Sequence, residues 1–105
     1  MKSIIKNLHW ESSLEEDFIG ICKGNNFPFT FVGHGDIVIE GSVPDFVDND
    51  GSKKIIEVHH QFMKSYEDYR KELFSKYGFK TLFLYKKDFD KNLVVTKVKE
   101  FMEGR

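Results

Sequence analysis

The sequence has few of the features that mark secreted, membrane-bound or disordered chains. It contains a single cysteine, Cys22, which excludes an internal disulfide and favours a reducing compartment such as the cytoplasm. It has only two prolines, no low-complexity tract and no apolar run long enough to cross a bilayer. Its first residues, MKSIIKNLHWESS, lack the apolar region and cleavage site of a signal peptide. We therefore expect a soluble, cytoplasmic protein without a membrane partner.

What the chain does contain is sufficient for a folded core. Of 105 residues, 40% are hydrophobic and 31% are charged, a balance typical of globular proteins. Eleven Phe and four Tyr supply much apolar area for so short a chain. The length predicts one domain covering residues 1–105.

The formal net charge is only -1, but the two signs are unevenly distributed. Residues 1–52 hold three Lys against nine acids, whereas residues 53–105 hold thirteen Lys and Arg against eight acids. Two interpretations remain open. The charges either cover ordinary solvated faces, or they form an acidic site beside a basic surface, which would suit a polyanion and bound cations.

Hydrophobic spacing predicts an α/β fold in which a small mixed sheet has helices on both faces. A capping-box pattern at Ser12 and Ser13 predicts the start of the first helix. Period-two runs on either side of the turn sequence DNDGS predict a hairpin, and a near-continuous apolar run predicts a buried parallel strand. The predicted order is a helix (12–26), three strands in a meander (27–32, 43–47 and 54–58), a helix (65–77), a strand (80–84) and a C-terminal helix (91–103).

Ionisable residues lie where buried strands are expected. Asp45 is predicted in the second strand, and Glu57 and His59 share one face of the third because side chains alternate along a strand. The hairpin would bring all three to one edge of the sheet. Simpler roles remain open: a turn residue for Asp45, a cross-strand pair with Lys53 or Lys54 for Glu57, and a hydrogen-bonded strand end for His59.

Bringing two carboxylates together is costly. At a separation of about 4 Å they repel by roughly 4 kcal/mol at an effective dielectric near 20. A hard divalent cation would remove this repulsion, with Asp45, Glu57 and the backbone carbonyl of Val58 as ligands. Mg²⁺ keeps several waters when bound, and one of them can serve as a nucleophile.

The stretch PDF, a turn, IIEVHH, a helix YEDYRKELFSKYGF and an apolar strand together resemble the PD-(D/E)xK superfamily of nucleases. The predicted order of helix, three strands, helix and strand is also that of its restriction-endonuclease-like core. His59 stands where the superfamily pattern has lysine. This departure is similar to the very-short-patch repair endonuclease branch and to EDxHD phage homing endonucleases. The resemblance covers about residues 12–88.

The resemblance implies roles for individual residues. Asp45 would be the principal metal ligand, the carbonyl of Val58 a backbone ligand and His59 the group that acts on the attacking water or the phosphate. Glu15, with Glu16 as the alternative, would correspond to the upstream glutamate that reaches the site through metal-bound water. Glu57 would match the wider superfamily's acid, which the repair branch does not require. The trailing acid of the motif would be Glu67 or Asp68.

The implied function is a Mg²⁺-dependent DNA endonuclease in which Mn²⁺ can substitute, the catalytic domain of a homing or mismatch-repair-like enzyme. A neutral imidazole can accept a proton from water, so His59 suits a general base. DNA would be the partner, with recognition segments outside this chain and a homodimer for cutting both strands. The alternative is a nuclease-fold domain that binds nucleic acid or protein without cutting, and sequence alone does not separate the two.

Overall fold

The computed structural model describes residues 9–104, with side chains from Ser13 onward. These residues form a mixed α/β structure in which helices surround a small four-stranded sheet. None of the helices within them combines the length and apolarity needed to cross a bilayer. In chain order the elements are α1 (His9–Asn25), β1 (Phe29–Phe31), β2 (Phe46–Asp48), β3 (Lys54–His59), α2 (Lys64–Ser75), β4 (Lys80–Tyr85), α3 (Lys86–Asp90) and α4 (Val94–Met102).

The sheet is mixed, and its strands lie in the order β1-β2-β3-β4. The first three strands pair antiparallel, with Phe46 opposite Ile56, as the predicted hairpin requires. Strand β4 pairs with β3 in parallel over its whole length, so that Tyr85 lies beside His59. A parallel neighbour needs a crossover connection, which α2 supplies.

Strand β3 separates two hydrophobic cores. Ile56 and Val58 belong to a cluster built with α1, β1, β2, β4 and α4, centred on the fully buried Phe18. Ile55 belongs to a second cluster, built with Leu73 and Phe74 of α2. Since side chains alternate along a strand, Glu57 and His59 lie on the same side as Ile55, towards α2. The predicted presence of helices on both faces is confirmed.

Several predicted boundaries were wrong. Helix α1 already includes Ser12 and Ser13, so they do not cap it; no glycine or proline in residues 9–12 stops the helix. Asp45 lies immediately before β2 rather than inside a strand. Its N–H donates to the side chain of Glu57 on β3, at 3.0 Å, instead of to a backbone carbonyl of that strand, and Pro44 before it has no N–H to donate.

The C-terminal part contains a short helix that hydrophobic spacing did not predict. Helix α3 follows β4 directly, and its start is held by the buried Asp88, which accepts a hydrogen bond from the backbone N–H of Tyr85 at 2.8 Å. The same carboxylate binds Lys97 of α4 at 2.7 Å. The last helix therefore begins at Val94 instead of Lys91.

Candidate metal centre

Asp45 and β3 are joined by two hydrogen bonds that use side chains. The backbone N–H of Asp45 donates to Oε2 of Glu57 at 3.0 Å. In return, Oδ2 of Asp45 accepts from the backbone N–H of Val58 at 2.9 Å. Because the register places Phe46 opposite Ile56, the residue before Phe46 falls opposite Glu57. The two acids thus meet at the end of the β2–β3 hairpin, away from its turn, where the sequence predicted them.

Glu57 is fully buried, and a cation lies beside it. Nη2 of Arg70, on α2, donates to Oε1 of Glu57 at 2.9 Å and to the backbone carbonyl of Val43 at 2.9 Å. The alternative that Glu57 pairs with Lys53 or Lys54 is wrong. Nζ of Lys53 instead donates to the carbonyl of Tyr77, after the end of α2, at 2.6 Å.

His59 lies next to both acids. Its Nε2 is 3.3 Å from Oε1 of Glu57 and 3.9 Å from Oδ2 of Asp45. The imidazole stacks on Phe83 with ring centroids 5.5 Å apart and meets the edge of Tyr66 at 5.3 Å. These contacts restrict the ring to a narrow range of orientations, while its side chain remains 29% exposed.

The electrostatics of the cluster follow from burial and crowding. Burial, and after it the charge of Glu57, raises the pKa of Asp45 from 3.8 to about 7, although the Val58 hydrogen bond and His59 oppose the shift. For His59, burial alone would lower the pKa, but the hydrogen bond with Glu57 and the charges of Asp45 and Glu57 outweigh it and raise the pKa. In the absence of a cation, Asp45 therefore keeps its proton up to near-neutral pH.

Asp45, Glu57 and His59 each offer one ligand atom, and these atoms lie within 4.8 Å of one another. The cluster could therefore hold a metal ion. It borders a cavity of about 300 Å³ lined by Glu15, Asp45, Val58, His59, His60 and Gln61. Glu57 lies beneath this cavity and is not part of its wall. A cation in the cavity would offset the burial and the charge of Glu57 that raise the pKa of Asp45, so the donor set fits a bound cation.

The other predicted site residues are distributed unevenly around the cavity. Glu15 is in its wall, and its charge contributes to the raised pKa of Asp45. Glu16 borders a neighbouring cavity, together with Glu15. Glu67 lies on α2 and is bound to Tyr85 and, at 2.8 Å, to Lys71. Asp68 pairs with Lys64 at the surface. Neither Glu67 nor Asp68 belongs to the described wall of the cavity.

Arg70 is a residue of the site that was not identified from the sequence. It is buried, and its guanidinium lies 5.3 Å from the ring centre of Tyr66 and 5.0 Å from that of Phe74. A signal was available in the sequence. Arg70 is four residues from both aromatics, within the apolar stripe of α2, where a surface cation is not expected.

In comparisons with protein-family models, with curated proteins and with solved structures, no match to this chain was found.

Proposed function

We propose that this chain is a metal-dependent DNA endonuclease with the restriction-endonuclease-like core, acting at the cluster of Asp45, Glu57 and His59. The observation that carries the proposal is the convergence of these three side chains, with ligand atoms within 4.8 Å of one another, at a cavity that also contains Glu15. The element order α1-β1-β2-β3-α2-β4 supports it, because it is the order that the resemblance implies.

Mg²⁺ is the proposed ion, with Mn²⁺ as a substitute. Asp45 would be its principal ligand, with the carbonyl of Val58 and Glu15 as further oxygen donors from the same cavity wall. Glu57 is a further candidate among the clustered acids. When bound, such an ion lowers the pKa of water and stabilises charge on phosphate oxygens.

His59 would accept the proton of the attacking water. In the reaction, a bond forms between the water oxygen and phosphorus while the bond from phosphorus to the leaving sugar oxygen breaks. Since a carboxylate oxygen only accepts hydrogen bonds, Nε2 of His59 donates to Glu57 and the lone pair of a neutral ring lies on Nδ1. The raised pKa of His59 implies that the fraction of the free base, and hence the rate, increases as the pH rises through that pKa.

DNA is the proposed partner, and this chain would bind it weakly alone. A formal net charge of -1 provides little attraction to phosphates, so sequence recognition would depend on segments outside this chain. One site per chain cuts one strand. A double-strand cut would therefore need two copies or two successive events.

The test is conversion of supercoiled plasmid to the nicked form in Mg²⁺ or Mn²⁺ and in EDTA. We expect metal-dependent nicking that Asp45→Ala and His59→Ala reduce by at least about a hundredfold. Asp90→Ala is the matched control, because it removes an exposed acid that pairs with Lys86, at 3.0 Å, on α3. Nicking that persists in EDTA or in both site variants would refute the proposal. Metal-dependent DNA binding without nicking would support the non-cutting alternative instead.

A further inference from the structure

Arg70 is a buried cation in the apolar face of α2. Its guanidinium lies between the aromatic rings of Tyr66 and Phe74, and its side chain is only 10% exposed. Burying a guanidinium removes it from water, so the surrounding contacts have to compensate for the lost hydration. The location is close to the metal centre, since Tyr66 also contacts His59.

A single nitrogen of Arg70 binds two elements of the site. Nη2 donates to Oε1 of Glu57 on β3 and to the carbonyl of Val43, two residues before Asp45. The Nε atom is buried and has no hydrogen-bond partner among the residues that the structure describes. Buried ion pairs add little net stability even when fully bonded, and this one leaves a donor unused. We therefore expect this ion pair to contribute more to the geometry of the site than to the stability of the fold.

The geometry that Arg70 fixes is that of Glu57. With Oε1 held by the guanidinium, Oε2 accepts the N–H of Asp45, and Oε1 also lies within reach of Nε2 of His59. One fully buried carboxylate thus contacts Asp45 and His59, which both line the cavity, while it is absent from the cavity wall itself.

We propose that Arg70 is a positioning residue, which holds the Glu57 carboxylate in place so that Glu57 orients Asp45 and His59 from beneath the cavity. Glu57 is then a support for the metal centre and not one of its ligands. The purpose of this positioning rests on the proposed function, but the first test of the positioning does not require catalysis.

The first test uses proton–nitrogen NMR spectra of the histidine side chains. Because Glu57 accepts from Nε2 of His59, that N–H proton should be protected from solvent and give a resonance in the wild-type protein. We expect Arg70→Met to abolish the resonance and Lys97→Met to preserve it. Lys97→Met is the matched control, since it removes the cation paired with another buried carboxylate, that of Asp88. A folded Arg70→Met protein that keeps the resonance overturns the proposal.

Arg70→Met leaves the Glu57 charge unpaired and can prevent folding. The double variant Glu57→Leu/Arg70→Met avoids this, because replacing both partners of a buried pair with apolar groups is often tolerated. We expect it to fold and to lose the Nε2–H resonance of His59. Retention of that resonance at an unchanged frequency would show that neither residue orients the ring, and the proposal would be wrong.

The second test is kinetic and uses Arg70→Lys, which keeps the charge but not the guanidinium geometry. We expect kcat for plasmid nicking to fall about tenfold or more with KM unchanged, because misplacement of the reacting groups affects the chemical step. In a His59→Ala background the same substitution should cause a smaller loss, because only the part of its effect that acts through Asp45 remains. Full additivity of the two effects would contradict positioning through His59. If the wild type does not nick, the proposed function fails, and the NMR arm still decides the role of Arg70.

Discussion

Replacing Asp45 with asparagine should stabilise the metal-free protein, and increasingly so as the pH rises. The wild-type carboxyl has a pKa of about 7 in the folded state against 3.8 as its ordinary value. A raised pKa means that the folded state binds the proton more tightly. Wild-type folding is therefore penalised as pH rises above about 4, and the penalty is complete above about 7. The amide of the variant has no charge at any pH and avoids this penalty.

The magnitude follows from the shift in pKa. About three pKa units at 1.36 kcal/mol each give about 4 kcal/mol, of which about 2–3 kcal/mol develops between pH 5 and pH 8. The side chain is mostly buried, at 18% exposure, so solvent screening reduces this figure only modestly. The raised pKa of His59 acts in the same direction: its protonation stabilises the wild type below its ordinary pKa, and this benefit is lost as pH rises through the folded-state value.

The measurement is urea unfolding of Asp45→Asn and wild type in EDTA at pH 5 and pH 8. We expect the variant's advantage in free energy of unfolding to be about 2–3 kcal/mol larger at pH 8 than at pH 5. Asp90→Asn, an exposed acid with 59% side-chain exposure, should change stability by less than about 0.5 kcal/mol at both values. An advantage that does not grow with pH, or a variant less stable than wild type at pH 8, would refute this account of the cluster.

Wild type and Asp45→Asn together also test whether a cation binds at the cluster. An ion that binds only the folded site stabilises it by RT ln(1 + [L]/Kd), about 2.7 kcal/mol at a hundred times Kd. Millimolar Mg²⁺ or Mn²⁺ should therefore raise the melting temperature of the wild type at pH 8 and leave that of Asp45→Asn nearly unchanged. Equal shifts in both would place the ion elsewhere.

Two further predictions concern the core. Phe18→Ala should lower the free energy of unfolding by about 3–5 kcal/mol, because Phe18 is fully buried with its ring centre 4.8 Å from that of Phe46. Urea denaturation measures this change, and a loss below about 1 kcal/mol would contradict the packing. Burial raises the pKa of the Cys22 thiol to about 11, so native protein at pH 8 should react with a thiol reagent much more slowly than protein unfolded in urea; equal rates would show that the thiol is accessible.

Much of the sheet was predictable, because its strands carry period-two patterns and the DNDGS turn sets the hairpin. The grouping of Glu57 and His59 on one face followed from strand alternation alone. The exact place of Asp45 did not follow from the sequence pattern, because its N–H bonds to a side chain from another strand, which local sequence does not encode. Helix α3 was missed for a related reason: its start depends on Asp88, whose burial with Lys97 arises only in the folded chain.

Arg70 shows that the charge of a side chain alone does not predict whether it is buried. Its charge suggested a surface position, whereas its spacing from Tyr66 and Phe74 indicated the apolar stripe, and the spacing proved the better guide. The partner that makes burial tolerable, Glu57, lies thirteen residues away in the chain. Such pairings depend on how α2 packs against the sheet and could not be deduced before the fold was known.

The two-sided burial of β3 restricts how the chain can vary in length. Four consecutive residues, Ile55 to Val58, are buried, alternately towards one core and the other. An insertion or deletion of one residue here would turn the side chains of the strand to the opposite sides of the sheet. Glu57 would then point away from Arg70 and into the core formed by α1. The turn at 49–53 is less restricted, because its side chains are exposed and pack into neither core, although Asn49 and Lys53 also bond to residues outside the turn. Length changes that preserve the metal centre are therefore confined to loops such as this turn, and the spacing from Lys54 to His59 is fixed by the requirements of two cores at once.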